Sequence, residues 1–87
     1  MPSDYVVFMR LEVVALYRSL KRPEKELLER FFDFLQRHPY LKGEATERDA
    51  IGRPVEVKFI GKFKVVYWLD SPVKEVKILK LERIPKR

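Results

Sequence analysis

The spacing of apolar residues changes along the chain and divides it into a short strand, two helices and three later strands. The run Tyr5–Met9 is rich in β-branched and aromatic residues, which favours a strand. Apolar positions then recur with a helical period, which predicts a first helix near residues 10–20. A second helix over 23–38 is indicated because Pro23 suits a first helical position, whereas the residue before Pro39 is pushed out of the helical region.

The second helix has one broad apolar stripe, and its opposite side is charged. The stripe contains Leu27, Leu28, Phe31, Phe34 and Leu35. A helical hairpin has to bury such a stripe, and one face of a sheet is the partner that this chain offers. We therefore expect Phe31 and Leu35 to pack against Val65 and Tyr67.

After a polar connection over 39–53, the apolar spacing becomes two, as in strands. The segments 55–60 and 63–69 alternate on either side of Gly61-Lys62, so the sequence predicts a hairpin there. Asp70-Ser71-Pro72 is typical of a further turn.

The last predicted strand, over 73–84, is apolar on both faces. Such a strand is expected in the centre of a sheet, or with a bulge near Ile78-Leu79. Only a bulge would let Lys77 and Lys80 lie on the same face, because side chains alternate along a regular strand.

The pairing of the two strands around Gly61-Lys62 decides which lysines share a surface. A two-residue turn would pair Lys58 with Val65 and direct both side chains to the same side of the sheet. Burying Phe59 together with Val65 and Tyr67 requires another offset, so we predict a wider or bulged hairpin. The face away from the helices would then carry Lys58, Lys64, Val66 and Trp68.

Together these elements predict a single α+β domain over residues 1–87, in the order β-α-α-β-β-β. The helical hairpin packs on one face of a small, mainly antiparallel, twisted sheet, and the other face is open. A chain of 87 residues is too short for two independent cores.

Composition excludes several kinds of chemistry. The chain has no cysteine, one histidine and three glycines, which argues against disulfides, Cys or His metal sites, Ser-His-Asp catalysis and a glycine-rich phosphate loop. We therefore expect neither a metal nor a cofactor. No apolar run approaches the roughly 20 residues of a membrane span, and Met1 to Asp4 do not begin a secretory signal. A cytoplasmic protein without a membrane partner is expected.

The positive charge is concentrated in the second part of the sequence. Residues 1–50 contain nine basic and nine acidic residues, whereas residues 51–87 contain ten basic and four acidic ones, which gives the whole net charge of +6. A positive field in one part of a fold attracts polyanions, nucleic acid first among them. Trp68 either packs at the edge of the core or exposes its ring for stacking.

Three segments carry a resemblance to a known family. From Val57 to Tyr67 the chain has a basic and apolar strand, a glycine turn and an apolar-apolar-Tyr ending. The step Pro39–Gly43 and the strand Val76–Leu79 fit the same pattern. In these segments, in element order and in size, the sequence resembles the RelE/ParE toxin superfamily of bacterial and archaeal toxin–antitoxin systems.

The resemblance to RelE-like members implies a ribosome-dependent mRNA endonuclease that inhibits translation without a metal. Basic side chains would hold the scissile phosphate and stabilise the charge of the transition state, while the 2′-hydroxyl of the RNA attacks. The implied catalytic residues are Lys58, Lys64 and Arg83. The implied RNA-binding residues are Lys58, Lys62, Lys64, Trp68, Lys80 and Arg83.

The resemblance also implies partners, and it leaves a second function open. The partners are the ribosome with its mRNA and a cognate antitoxin, whose acidic, helix-prone segment is expected to bind residues 51–87 in a salt-sensitive manner. The alternative is a non-catalytic binding module, either a ParE-like gyrase inhibitor or a nuclease-deficient toxin homologue. Glu56 stands where a nuclease would have a second basic residue, and no Tyr or His follows Arg83. Both features favour the alternative.

Overall fold

The structure, a computed structural model, describes residues 4–85. Its elements are β1 (Val6–Met9), α1 (Leu11–Ser19), α2 (Arg22–Arg37), β2 (Ala45–Arg48), β3 (Pro54–Ile60), β4 (Phe63–Asp70), a 3-10 turn (Ser71–Val73) and β5 (Glu75–Arg83). The predicted α+β fold is therefore confirmed. Strand β2 is an addition, because it lies inside the segment 39–53 that was predicted to be a connection.

The five strands form one sheet in the order β1-β5-β4-β3-β2. β1 is parallel to β5, and the other three pairs are antiparallel. The sheet is thus mainly antiparallel, as predicted, with β4 and β5 inside it and the short strands β1 and β2 at its edges. Both helices lie on one side.

The core lies between the helices and one face of the sheet. Leu28 and Leu35 of α2 are fully buried, and the ring centroids of Phe31 and Tyr67 are 5.9 Å apart with a T-shaped geometry. Phe31, Leu35, Val65 and Tyr67 all belong to one buried cluster. The predicted packing of α2 on β4 is confirmed. Burial raises the pKa of Tyr67 to about 12, and nearby Glu56 adds to the effect.

The predicted wide hairpin between β3 and β4 is wrong. Ile60 pairs with Phe63 and Lys58 with Val65, so the turn is the two-residue Gly61-Lys62, with Gly61 at a φ of +57°. Lys58 therefore lies on the helix-covered side of the sheet with Val65. The register is favourable because β3 buries Val55 and Val57 on its other side. Phe59, expected in the core, lies on that other side and is 46% exposed.

The last strand was predicted to be central or bulged near Ile78-Leu79, and β5 is both: it lies between β1 and β4, and it has a bulge. Val66 pairs with Lys80, whereas the next residue, Tyr67, pairs with Ile78, so Leu79 is the additional residue. Because of this shift, Lys77 opposite Trp68 and Lys80 opposite Val66 lie on the same face.

Candidate functional site on the open face of the sheet

The sheet face that the helices leave uncovered is here called the open face. Its central residues are Val55, Val57 and Phe59 of β3, Lys64, Val66 and Trp68 of β4, and Lys77, Leu79, Lys80 and Glu82 of β5. Three valines at positions 55, 57 and 66 are buried and form a second apolar cluster, against which Trp68 and Leu79 pack. The open face thus has an apolar centre.

Lysines at the rim of this apolar centre are neutralised by carboxylates. Lys64 Nζ lies 2.6 Å from Glu47 Oε2, which reaches it from the edge strand β2. Lys80 Nζ lies 2.8 Å from Glu82 Oε1 on the same strand. The second hydrogen bond raises the pKa of Lys80 and lowers the pKa of Glu82 from their ordinary values. Both lysines are therefore already paired with a carboxylate of the same molecule.

Trp68 is enclosed by two more paired cations. The guanidinium carbon of Arg53 lies 3.8 Å from the ring centroid of Trp68, and Lys77 Nζ lies 5.7 Å from it. Arg53 binds Asp49 at 2.8 Å, and Lys77 binds Asp70 at the same distance. A nucleobase that stacked on the Arg53 side of Trp68 would have to displace this guanidinium and its carboxylate partner.

The remaining predicted residues lie elsewhere. Lys58 faces the helix-covered side, and Lys62 lies in the turn at the end of the sheet. Arg83 pairs with Phe63, its guanidinium lies 5.0 Å from that ring, and Nη1 binds Glu24 of α2 at 2.7 Å. The open face therefore unites Lys64, Trp68 and Lys80. The predicted convergence of Lys58 and Lys64 on one phosphate is wrong, because a two-residue turn places them on opposite faces.

Four carboxylates of this site were missed at the sequence level: Asp49, Glu47, Asp70 and Glu82. Asp49 and Glu82 could have been found from sequence spacing. Asp49 stands four residues before Arg53, and Glu82 stands two residues after Lys80, which places both on the same face of a strand. Glu47 had no such signal, because it approaches Lys64 only through the pairing of β2 with β3.

Two clefts include lysines of the open face. The larger, of about 460 Å³, extends from the start of α1 to the β2–β3 turn and is lined by both basic and acidic side chains, among them Arg10, Arg48 and Lys80 beside Glu12 and Glu47. The smaller, of about 290 Å³, includes Phe59, Lys64 and Ile84. Within residues 4–85, no three metal-ligating side chains are grouped, and neither helix is long and apolar enough to span a bilayer.

Comparison with known proteins gives one informative likeness. No protein-family model matches the sequence, and no curated protein does. Among solved structures, the crystal structure of the archaeal RelE–RelB complex from Pyrococcus horikoshii OT3 contains a similar chain, with a TM-score of 0.76 and 22% sequence identity. The match covers 95% of this chain and 98% of that one. This chain has the RelE fold.

The RelE fold agrees with the element order that the sequence predicted. The likeness extends over nearly the whole chain, so it includes both helices and the sheet with its open face. At 22% sequence identity, the likeness shows that the two chains share a fold. What the open face does has to be argued from its own side chains.

Proposed function

We propose that this protein is the toxin-type member of a toxin–antitoxin pair, and that its open face binds an antitoxin segment rather than cutting RNA. The observation that carries the proposal is the pairing of Lys64, Lys77 and Lys80, each with a carboxylate of the same molecule. The likeness to RelE of a RelE–RelB complex supports the pairing with an antitoxin.

The apolar centre of the open face supports a protein partner. Val57 and Val66 are buried, but the neighbouring Phe59 is 46% exposed and lies next to Lys64 in the smaller cleft. Exposed aromatic rings beside well-packed apolar side chains are typical anchors in protein interfaces. An antitoxin helix or strand with apolar side chains would bury Phe59, and the surrounding ion pairs would form the polar rim.

Cleavage without a metal has different requirements. Several cations have to converge on one phosphate and stabilise its charge in the transition state. Here Lys64 already neutralises Glu47, Lys58 lies on the other side of the sheet, and Arg83 is held by Glu24. This arrangement supports the nuclease-deficient alternative over the ribosome-dependent endonuclease.

The first test is mRNA cleavage on programmed ribosomes, followed by primer extension. We expect the wild-type protein to give no cleavage products above the background without protein. Specific cleavage by the wild type that disappears in Lys64→Ala would contradict the proposal and would establish the endonuclease instead.

The second test looks for a gene directly upstream or downstream that encodes a small protein, as toxin–antitoxin pairing requires, and measures the binding of that protein by calorimetry. Phe59→Glu should weaken this complex by at least tenfold, because it places a charge in the apolar contact. Phe34→Glu is the matched control, since Phe34 is similarly exposed (42%) but lies on α2. An equal loss in both variants, or none in Phe59→Glu, would contradict an interface on the open face.

A further inference from the structure

The first strand of the sheet, β1, has an open edge. β1 stands at the end of the strand order, with β5 as its neighbour and no strand on its other side among residues 4–85. The backbone N–H groups of Val6 and Arg10 donate to the carbonyls of Lys74 and Ile78, on the side of β5. Since alternate residues of a strand direct their backbone groups to opposite sides, the N–H and C=O of Val7 point outward. An edge of this kind is a template for another strand.

β1 also exposes two large apolar side chains. Val6 is 52% exposed and Phe8 is 51% exposed. They pair with Glu75 and Lys77 of β5, so they lie at the edge of the open face, whereas Val7 packs against the main core. Exposed apolar side chains on an open strand edge indicate a surface that another chain covers.

Residues of opposite charge flank these two apolar side chains. Asp4 stands two residues before Val6, and its carboxylate is largely exposed although it reaches Lys74 Nζ at 3.4 Å. Arg10 stands two residues after Phe8, is exposed and has an extended backbone. Within residues 4–85, no carboxylate oxygen lies within 4.0 Å of the Arg10 guanidinium. At every second position the segment is thus acidic, apolar, apolar and basic.

This pattern is complementary to itself in an antiparallel pair. When two copies of β1 pair around Val7, Val6 of each copy lies opposite Phe8 of the other, and Asp4 lies opposite Arg10. The two Val7 residues exchange both of their backbone hydrogen bonds, and the adjacent non-hydrogen-bonded positions bring Val6 and Phe8 close together. Each charge then faces an opposite charge, and each apolar side chain faces an apolar one.

The charges also select this register over its neighbour. Pairing around Phe8 would likewise bring outward backbone groups together, but it would set Val6 opposite Arg10 and Asp4 opposite Glu12 of the other copy. Like charges directly opposite each other are destabilising. The register around Val7 is therefore favoured.

We propose that β1 pairs with β1 of a second copy of this chain, antiparallel and around Val7, in a twofold symmetric dimer. The occupant is a second copy because an isologous contact requires a surface that complements itself, which this edge does in charge and in apolar side chains. The two five-stranded sheets join into one, with all helices on the same side. The inference goes beyond the proposed function and does not rest on it.

The experiment is sedimentation equilibrium of the isolated chain over a range of protein concentrations, with exchanged charges. Asp4→Arg leaves two basic positions in each chain and Arg10→Asp leaves two acidic ones, so each variant repels a copy of itself. In an equimolar mixture of the two, every charged position of one variant faces its opposite in the other. The double exchange Asp4→Arg/Arg10→Asp restores the complementarity within one chain. Thermal midpoints measured by circular dichroism check that all variants are folded.

We expect the wild-type protein to show a weak monomer–dimer equilibrium, because a strand of four residues makes a small contact. Each single charge variant should dimerise at least about tenfold more weakly, since like charges then face each other at two places. The mixture and the double exchange should return to within about threefold of wild type.

A second pair of variants tests the apolar contact. Phe8→Glu should weaken the dimer by at least about tenfold, because it places a charge against Val6 of the other copy. Phe59→Glu is the matched control, since Phe59 is similarly exposed on the same face but lies on β3, away from the β1 edge. This control should dimerise like wild type.

Four results would overturn the inference: a monomer at every concentration, unchanged dimerisation in both single charge variants, a mixture and a double exchange that stay as weak as the single variants, or equal losses in Phe8→Glu and Phe59→Glu. A monomer would leave the edge to a strand of another protein. The measurement involves no antitoxin, so its failure remains distinguishable from a failure of the proposed function at the centre of the open face.

Discussion

The helix-covered face of the sheet buries large rings under α2, whereas the open face buries three valines and surrounds them with ion pairs. On the first face, Phe63 and Tyr67 are excluded from solvent by helical side chains such as Phe31. On the second, Glu47, Asp70 and Glu82 neutralise the lysines of β4 and β5. A basic stretch of sequence can therefore fold into a face without excess positive charge, because the neutralising residues can come from other segments.

The largest effect should come from removing a ring of the helix-covered face. Phe31→Ala is expected to lower the free energy of unfolding by about 3–5 kcal/mol, because it leaves a cavity beside Tyr67. Phe59→Ala on the open face is the matched control and should cost less than about 1 kcal/mol, since nearly half of that side chain is exposed. Urea unfolding of both variants measures the two losses in free energy of unfolding. Similar losses for Phe31→Ala and Phe59→Ala would show that the open face buries its aromatic ring as fully as the helix-covered face does.

A smaller effect should come from the point where the chain enters β2. A Cβ atom on Gly43 would lie 2.3 Å from the carbonyl oxygen of Val57, so Gly43→Ala has to displace one of the two backbones. We expect a loss of about 1–3 kcal/mol in urea unfolding.

Gly52→Ala is the control for this substitution. Gly52 has a φ of +82° but nothing within 4 Å of the new methyl group, so it should cost about 1 kcal/mol from backbone strain alone. A loss for Gly43→Ala no greater than that for Gly52→Ala would show that β2 is not held tightly against β3.

The ion pair of β2 with β4 should be weaker still. In a double-mutant cycle of Glu47→Ala and Lys64→Ala, we expect a coupling of about 0.2–1 kcal/mol that decreases with added salt, as for other partly exposed pairs. A coupling indistinguishable from zero at low salt would mean that Lys64 is free in solution, and the open face would regain a cation for binding phosphate.

The smallest effect is a loss of stability at acidic pH that comes from Asp49, the ion-pair partner of Arg53 beside Trp68. Burial opposes ionisation of Asp49, but the backbone N–H groups of Arg53 and Ile51 and the Arg53 charge hold the pKa of Asp49 below its ordinary value. The folded state then binds fewer protons than the unfolded state, so this contribution to stability is present above the unfolded pKa of about 4 and is lost below it. As the pH falls below about 4, the free energy of unfolding should therefore decrease more steeply for the wild-type protein than for Asp49→Asn. Urea titrations at several pH values measure this, and equal pH dependence would contradict it.

Most of the fold could be predicted because its signals are local. The apolar stripe of α2 predicted the packing of Phe31 and Leu35, and the loss of alternation in the last strand predicted a central strand or a bulge near Ile78-Leu79. β2 could not be predicted, because all four of its residues are exposed and show no alternation. It is positioned by its ladder to β3 and by Glu44, whose carboxylate accepts the backbone N–H of Phe59.

The candidate site was harder to predict because its electrostatics depend on contacts between distant segments. The tight turn at Gly61-Lys62 was visible in the sequence, but the assumption that Phe59 belongs to the main core placed Lys58 on the wrong face. The buried pair Val55 and Val57 shows which side of β3 is protected. The partner of Lys64 comes from β2, so an unpredicted strand also concealed the neutralisation of the open face.

The most direct test of this account is a titration of ¹⁵N-labelled protein with single-stranded RNA, followed by amide chemical shifts at low salt. We expect the amide signals of the open face around Lys64 and Lys80 to shift hardly at all, because both lysines are already paired with the carboxylates of Glu47 and Glu82. Trp68, whose indole N–H gives a separate signal, should hardly move. Large shifts centred on Lys64, Trp68 and Lys80 would contradict the neutralisation of the open face, because they would show that this face binds phosphate in spite of its carboxylates.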